Sequence, residues 1–213
     1  MQKLGVEDVR SALAKVAADV PAYAEELREL DAATGDGDLG ITMTIGWKAV
    51  SEALPTLGQG GADIGTLLAQ AGMAFNRAAA STFGALLATA FMRAGKELRG
   101  LGEVGLTELI RGFEAALLGI KERGKAEVGD RTMLDALAPA VSAMKEAERE
   151  GQDLPQAMRM AADAALKGAQ GTVGKVPRFG RAAWVGQRAA EVQDPGATAV
   201  ALMLRSLAEF VQS

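Results

Sequence analysis

The stretch Leu30-Asp31-Ala32-Ala33-Thr34-Gly35-Asp36-Gly37-Asp38-Leu39-Gly40-Ile41-Thr42 sets how the rest of the chain is read. It places Asp31, Asp36 and Asp38 close together, punctuates them with Gly35, Gly37 and Gly40, and lies between two strongly helical segments. Asp and Gly at this density interrupt a helix, and three like charges at close quarters repel unless something positive sits between them. An oxygen-preferring cation answers that repulsion, and a phosphate-bearing ligand would account for the glycines. Taken alone, the same residues also describe an exposed Asp/Gly turn between helices.

Outward from this loop, hydrophobic residues recur at helical spacing. Val6, Val9, Leu13, Val16 and Val20 form a first stripe, which Pro21 is expected to kink or divide before Tyr23, Leu27 and Leu30 resume it. Met43, Trp47, Val50 and Leu54 form a second stripe, ended by Pro55 and the glycine-rich stretch 58–61. Ile64 to Phe75 form a third. A fourth, through Leu86, Leu87, Ala90 and Phe91, is apolar over most of its circumference and is expected to lie centrally. Leu106 to Ile120 mark a fifth helix. Leu134 to Met144 mark a sixth, for which Asp130 is the expected cap. Asp153-Leu154-Pro155 opens a seventh, and Asp194-Pro195-Gly196 opens an eighth that carries Val200, Leu204, Leu207 and Val211. Eight helices and no convincing strand predict a single all-α domain over residues 1–213, an antiparallel up-and-down bundle.

Composition agrees with that fold. Of 213 residues, 49% are hydrophobic but only 4% aromatic. The core is therefore built from small and aliphatic side chains that let helices approach closely. The net charge of −4 argues against a nucleic-acid or anionic-membrane surface, both of which need a basic field. No apolar run is long enough to span a bilayer and no signal-peptide core opens the chain, so a soluble, cytoplasmic protein is expected.

Cysteine and histidine are both absent. That excludes disulfides, thiolate metal sites, an imidazole general base, a phosphohistidine on this chain and His-ligated zinc. A bound metal must be held through oxygen, which leaves Mg²⁺, Ca²⁺ or Mn²⁺. An EF-hand does not fit. With Asp36 at its first position, Gly40 falls at the fifth and Trp47 at the twelfth, where a bidentate Glu is required. No GxxxxGK[ST] phosphate loop occurs.

The polar signals fall in a pattern. The Asp/Gly loop, the Ser81–Gly84 turn, the Gly124–Asp130 loop and the region from Arg181 to Asp194-Pro195-Gly196 follow the first, third, fifth and seventh helices. In an up-and-down bundle alternate connections share one end. All four converge there, while the other end receives plain connectors. The carboxylates can share one or two metal ions, Gly40 and Thr42 open a helix whose amides can meet a phosphate, and Arg181 can add a charge-assisted hydrogen bond. Together they describe a metal–nucleotide site.

Three stretches resemble one family. LDAATGDGDLGITM, GKAEVGDRTMLDALAP and GRAAWVGQRAAEVQDPGATAVAL look like the signatures of the nucleotide-binding L subunit of dihydroxyacetone kinase, in the right order along essentially the whole chain. The later two favour it over the related amino-terminal domain of fatty acid kinases. The resemblance implies an eight-helix antiparallel barrel holding ADP or ATP and two Mg²⁺ ions at one end. Asp31, Asp36 and Asp38 would be the metal ligands. Gly40 and Thr42 would lie under the phosphates, with Ser81 and Thr82 supplying the hydroxyls of a further phosphate turn. Gly124 and Met133 would lie beside base and ribose, and Arg181, Asp194, Pro195 and Gly196 would close the site.

The resemblance also implies a K-type partner subunit that holds the keto-sugar covalently on its own histidine. A phosphotransferase-system M-type phosphodonor would recharge a retained ADP in one version of the reaction. No catalytic nucleophile is expected on this chain. Two departures stand out: Leu39 where the family has His with Thr42 where it has Asn, and Phe83 in place of a second serine. They keep open a kinase subunit for another small polyol or keto-sugar, or a nucleotide-responsive regulatory module on the same fold.

Overall fold

The computed structural model describes residues 3–58, 63–180 and 182–213. Its helices are α1 (Val6–Thr34), α2 (Leu39–Ala53), α3 (Ile64–Ala78), α4 (Thr82–Glu97), α5 (Leu106–Gly124), α6 (Leu134–Arg149), α7 (Leu154–Gln170), α8 (Ala182–Val185) and α9 (Pro195–Gln212), with a 3₁₀ turn at Gly186–Glu191 before the last. Extended pairing is confined to β1 (Leu4–Gly5) against antiparallel β2 (Glu103–Val104), among the described residues. The glycine-rich stretch 58–61 lies mostly outside the described residues.

Among the described residues, eight long helices close into a ring. Each of α1 to α7 packs on the next, α7 packs on α9, and α9 returns to α1. Cross-helix contacts fix their directions. Arg10 reaches the Leu54 carbonyl while a side chain on Gly40 would strike Ala24, so α1 and α2 run antiparallel. Lys15 pairs with Glu209 and Tyr23 meets Ser206, which does the same for α1 and α9. Glu97–Arg111 and Arg93–Glu122 tie α4 to α5, and Glu114–Lys145 with Thr107–Glu148 tie α5 to α6, again antiparallel. Alternate connections therefore share one end.

The core runs inside the ring. Trp47 is fully buried, edge-on to Phe75 and Phe91 with ring centroids 6.1 Å apart in both pairs. Such contacts add about 0.5–1.5 kcal/mol beyond the area they bury. An apolar cavity of about 180 Å³ remains along the axis, lined by residues such as Trp47, Phe91, Phe113, Met133 and Met203.

Three details differ from the pattern expected of the sequence. Pro21 does not divide α1: the helix continues through it, with the proline on an exposed face where water can meet the stranded backbone group. The most enclosed helix is α9, packed on α1, α6 and α7, and α4 is one stave of the ring with Met92, Arg93, Lys96 and Glu97 exposed. Asp130 does not cap α6. Its Oδ2 accepts the Glu127 amide, because Arg131 adopts a left-handed conformation (φ 62°) and turns the chain before the helix starts at Leu134.

The other two acidic helix openings hold. Asp153 accepts from Gln156 N at 2.9 Å and Asp194 from Ala197 N at 2.7 Å, each ahead of a first-turn proline.

Candidate functional site

At the end of the ring where α1 meets α2, oxygens of Asp31, Asp36 and Asp38 lie within 4.8 Å of one another. Asp31 sits in the last turn of α1, where the helix dipole is negative and cations are the favoured residues; that turn holds no basic side chain. Its Oδ2 accepts the Leu39 amide at 3.1 Å, which fastens the start of α2 to the end of α1. Asp38 is held above the usual carboxylate range by burial and by the charge of Asp31.

The donor set fits a hard divalent cation. All three residues offer oxygen, and three oxygens within 4.8 Å of one another are near enough to share one such ion. Leu39 and Phe83, the two departures from the family pattern, both turn toward the apolar core.

Gly40 and Thr42 lie in the first turn of α2. The Leu39 amide is taken by Asp31 and that of Thr42 by the Asp38 carbonyl, so the helical ladder supplies no acceptor for Gly40 and Ile41. Gly40 has a packing reason as well: a Cβ there would stand 2.1 Å from the Ala24 carbonyl oxygen of α1.

Ser81 is the N-cap of α4, its hydroxyl accepting from Gly84 N at 3.0 Å, and Thr82 is exposed beside it. Gly124 ends α5, where a Cβ would meet only the Leu86 side chain at 3.5 Å. Met133 is buried.

The loops after α5 and α7 are joined directly. Buried Asp135 accepts from Gly129 N at 2.9 Å, Thr132 N at 3.0 Å and Lys175 Nζ at 3.0 Å. Arg178 donates to Asp130 at 3.2 Å. Between the two loops lies an open cleft of about 530 Å³ whose lining includes Glu127, Gly129, Asp130, Lys175 and Arg178.

Asp194 is buried. Its amide donates to Thr172 Oγ1 at 2.8 Å, and a Cβ on Gly196 would lie 3.7 Å from Met133 N. Burial pushes the Asp194 carboxyl up to about 6, against the opposing pull of the Ala197 amide and Arg131. The 3₁₀ turn 186–191 rests on α1, the helix that carries Asp31.

Thus the carboxylates Asp31, Asp36 and Asp38 are gathered together, and Met133 meets the Asp194–Gly196 opening of α9. Arg181 lies outside the described residues. Sequence reading passed over Arg131, Asp135 and Thr172. For Asp135 a signal existed: an Asp two residues after Met133 can turn back on preceding amides, as in a capping box. For Arg131 and Thr172 no local pattern marks the role.

An all-helical ring with a cluster of three carboxylates at one end, able to hold a hard cation through oxygen alone, defines the class of site, and this chain builds it with neither a phosphate-loop lysine nor a histidine. The chain belongs to the DAK2 domain family, whose model matches residues 33–209.

It is 36% identical over 184 residues to the Escherichia coli (strain K12) PEP-dependent dihydroxyacetone kinase, ADP-binding subunit DhaL, covering 86% of this chain and 87% of that one. It is 32% identical over 195 residues to a corresponding subunit of Listeria innocua, covering 90% of each. Among solved structures, the dihydroxyacetone kinase of C. freundii in complex with AMP-PNP and Mg²⁺ superposes with a TM-score of 0.71 at 29% identity, over 94% of this chain and 33% of that one.

Proposed function

We propose that this chain is the nucleotide-binding subunit of a dihydroxyacetone-type kinase. It would hold a Mg²⁺-bound adenine nucleotide for phosphoryl transfer to a small keto-sugar carried by a K-type partner subunit. The observation that carries this reading is the convergence of Asp31, Asp36 and Asp38 at a helix terminus that already repels anions. Such a cluster is stabilised by divalent metal, and a metal so held needs further oxygens, which phosphates provide.

Asp31, Asp36 and Asp38 would hold Mg²⁺, two ions in the full site. The metal supplies neutralisation of phosphate charge as it shifts during transfer. The chain's own part is placement. The Gly40 and Ile41 amides would offer a helix N-terminus to the phosphates, Ser81 and Thr82 would add the hydroxyls of a further phosphate turn, and Gly124, Met133 and Asp194–Gly196 would bound the base and ribose. Arg181 would pair with a phosphate.

The E. coli and L. innocua relatives are ADP-binding subunits of PEP-dependent enzymes. Their similarity over nearly full length supports ADP as a retained cofactor recharged by a phosphotransferase-system M-type protein. The core-facing placement of Leu39 and Phe83 supports a working site over a regulatory module, since both departures are absorbed by packing.

Native mass spectrometry of the purified chain tests the reading, with ADP and magnesium expected at fixed stoichiometry. Absence of nucleotide binding at millimolar Mg-ADP and Mg-ATP would overturn it. Retention of ADP through gel filtration distinguishes the PEP-dependent version from ATP exchange at each turnover.

A further inference from the structure

Arg131 is the one arginine among the described residues whose side chain is fully enclosed, at 1% exposure, and its backbone is left-handed with φ 62°. Its Nη2 donates to the carbonyls of Ala189 at 2.5 Å and Val192 at 3.0 Å. Its Nη1 stands 4.0 Å from Asp194 Oδ1, and Nε and Nη1 have no hydrogen-bond partner.

For folding alone this is an expensive arrangement. A buried cation with unspent donors is destabilising, and apolar replacements of buried charges are often neutral or stabilising. The geometry says what the arginine does in return. Ala189 lies within the 3₁₀ turn and Val192 opens the link from it to α9, and Asp194 caps α9 where that link ends. Arg131 itself belongs to the 129–133 turn, which Asp135 holds from the other side. One guanidinium fork therefore touches both ends of the segment that delivers Asp194, Pro195 and Gly196 opposite Met133. A lysine, with a single nitrogen, could reach those carbonyls but could not also set a second nitrogen against Asp194.

We propose that Arg131 is a positioning residue for the nucleotide end of the barrel, bracing segment 189–194 against the 129–133 turn so that Gly196 and Met133 stand at a fixed separation. The proposal rests on the reading of this end as a nucleotide site; the brace itself can be tested without that reading.

The test uses the full chain with Arg131→Met and Arg131→Lys. Hydrogen exchange read by mass spectrometry should show amides of 186–194 exchanging at least tenfold faster in both variants, with α3 and α4 unchanged. Mg-ADP, titrated calorimetrically, should bind at least tenfold more weakly to both. Arg131→Lys, which keeps the charge beside Asp194, should melt nearer to wild type than Arg131→Met. Unchanged exchange at 186–194 in Arg131→Lys, or full recovery of Mg-ADP affinity by lysine, overturns the proposal, since charge without the fork would then suffice.

If Arg131→Met does not fold, Arg131→Lys decides alone by the same two readouts. If wild type itself binds no Mg-ADP, the function reading fails, and the exchange measurement still decides the brace.

Discussion

Asp31 Oδ2 accepts the backbone N–H of Leu39 at 3.1 Å, joining the last turn of α1 to the first residue of α2. One carboxylate oxygen thus closes the loop that gathers Asp36 and Asp38, while the carboxylate keeps lone pairs to offer a cation. Shape and charge of the cluster depend on the same side chain.

Removing charge without disturbing that closure separates the two roles. Asp36 is exposed and lies between the helices, so Asp36→Ala should leave helicity by circular dichroism unchanged. It should also weaken Mg²⁺-dependent nucleotide binding by at least about tenfold, the equivalent of about 1.4 kcal/mol. In wild type, Mg-ADP at a hundred times its dissociation constant should stabilise the fold by about 2.7 kcal/mol, and a chelator should remove that gain. Retention of full metal-dependent binding by Asp36→Ala would falsify the ligand assignment.

Two glycines make opposite predictions. Gly40→Ala drives a Cβ to 2.1 Å from the Ala24 carbonyl and forces α1 and α2 apart. A cost of about 1–3 kcal/mol is expected, with Tm falling by about 2–4 °C per kcal/mol for a chain of this size. Gly124→Ala meets only Leu86 at 3.5 Å, so Tm should hold or rise slightly, while nucleotide affinity falls if the base lies there. Differential scanning fluorimetry with and without Mg-ADP reads both variants. Equal thermal loss in the two would contradict the packing account of Gly40.

The buried carboxyl of Asp194 makes stability depend on pH. Its folded value of about 6 lies above the ordinary value of about 3.9. Below about pH 4 the group is protonated in both states, and this contribution is fully present. Between pH 4 and 6 the unfolded chain releases its proton first, so stability is lost as pH rises, by on the order of 3 kcal/mol at pH 7. Asp194→Asn keeps an oxygen for the Ala197 amide and lacks the titration. Its Tm relative to wild type should climb from pH 4 to pH 7; a flat difference would show that Asp194 ionises normally.

The two tryptophans report on different parts of the molecule. Trp47 is buried between Phe75 and Phe91, whereas Trp184 on α8 is 92% exposed. Acrylamide should quench one component of the emission, red-shifted, and Trp184→Phe should abolish that component without changing Tm. Emission that resists acrylamide in wild type would place α8 against the barrel.

The sequence by itself determined the all-α class, the helix stripes, the acidic openings at Asp153 and Asp194, and the exclusion of imidazole and thiolate chemistry. Each follows from residue type and short-range spacing, and both are properties of the chain before it folds. It could not reveal that α1 continues through Pro21, because the cost of a proline depends on whether its face is wet. Nor could it reveal that Asp130 serves a turn rather than a helix cap, since that turn goes with a left-handed backbone at Arg131, whose side chain is held by carbonyls 58 and 61 residues away. Closure of the ring decided the rest: it set α9 as the most enclosed helix, joined the loops after α5 and α7, and buried Arg131 beside Asp194. Those pairings lie far apart in the chain, and only the packed barrel makes them neighbours.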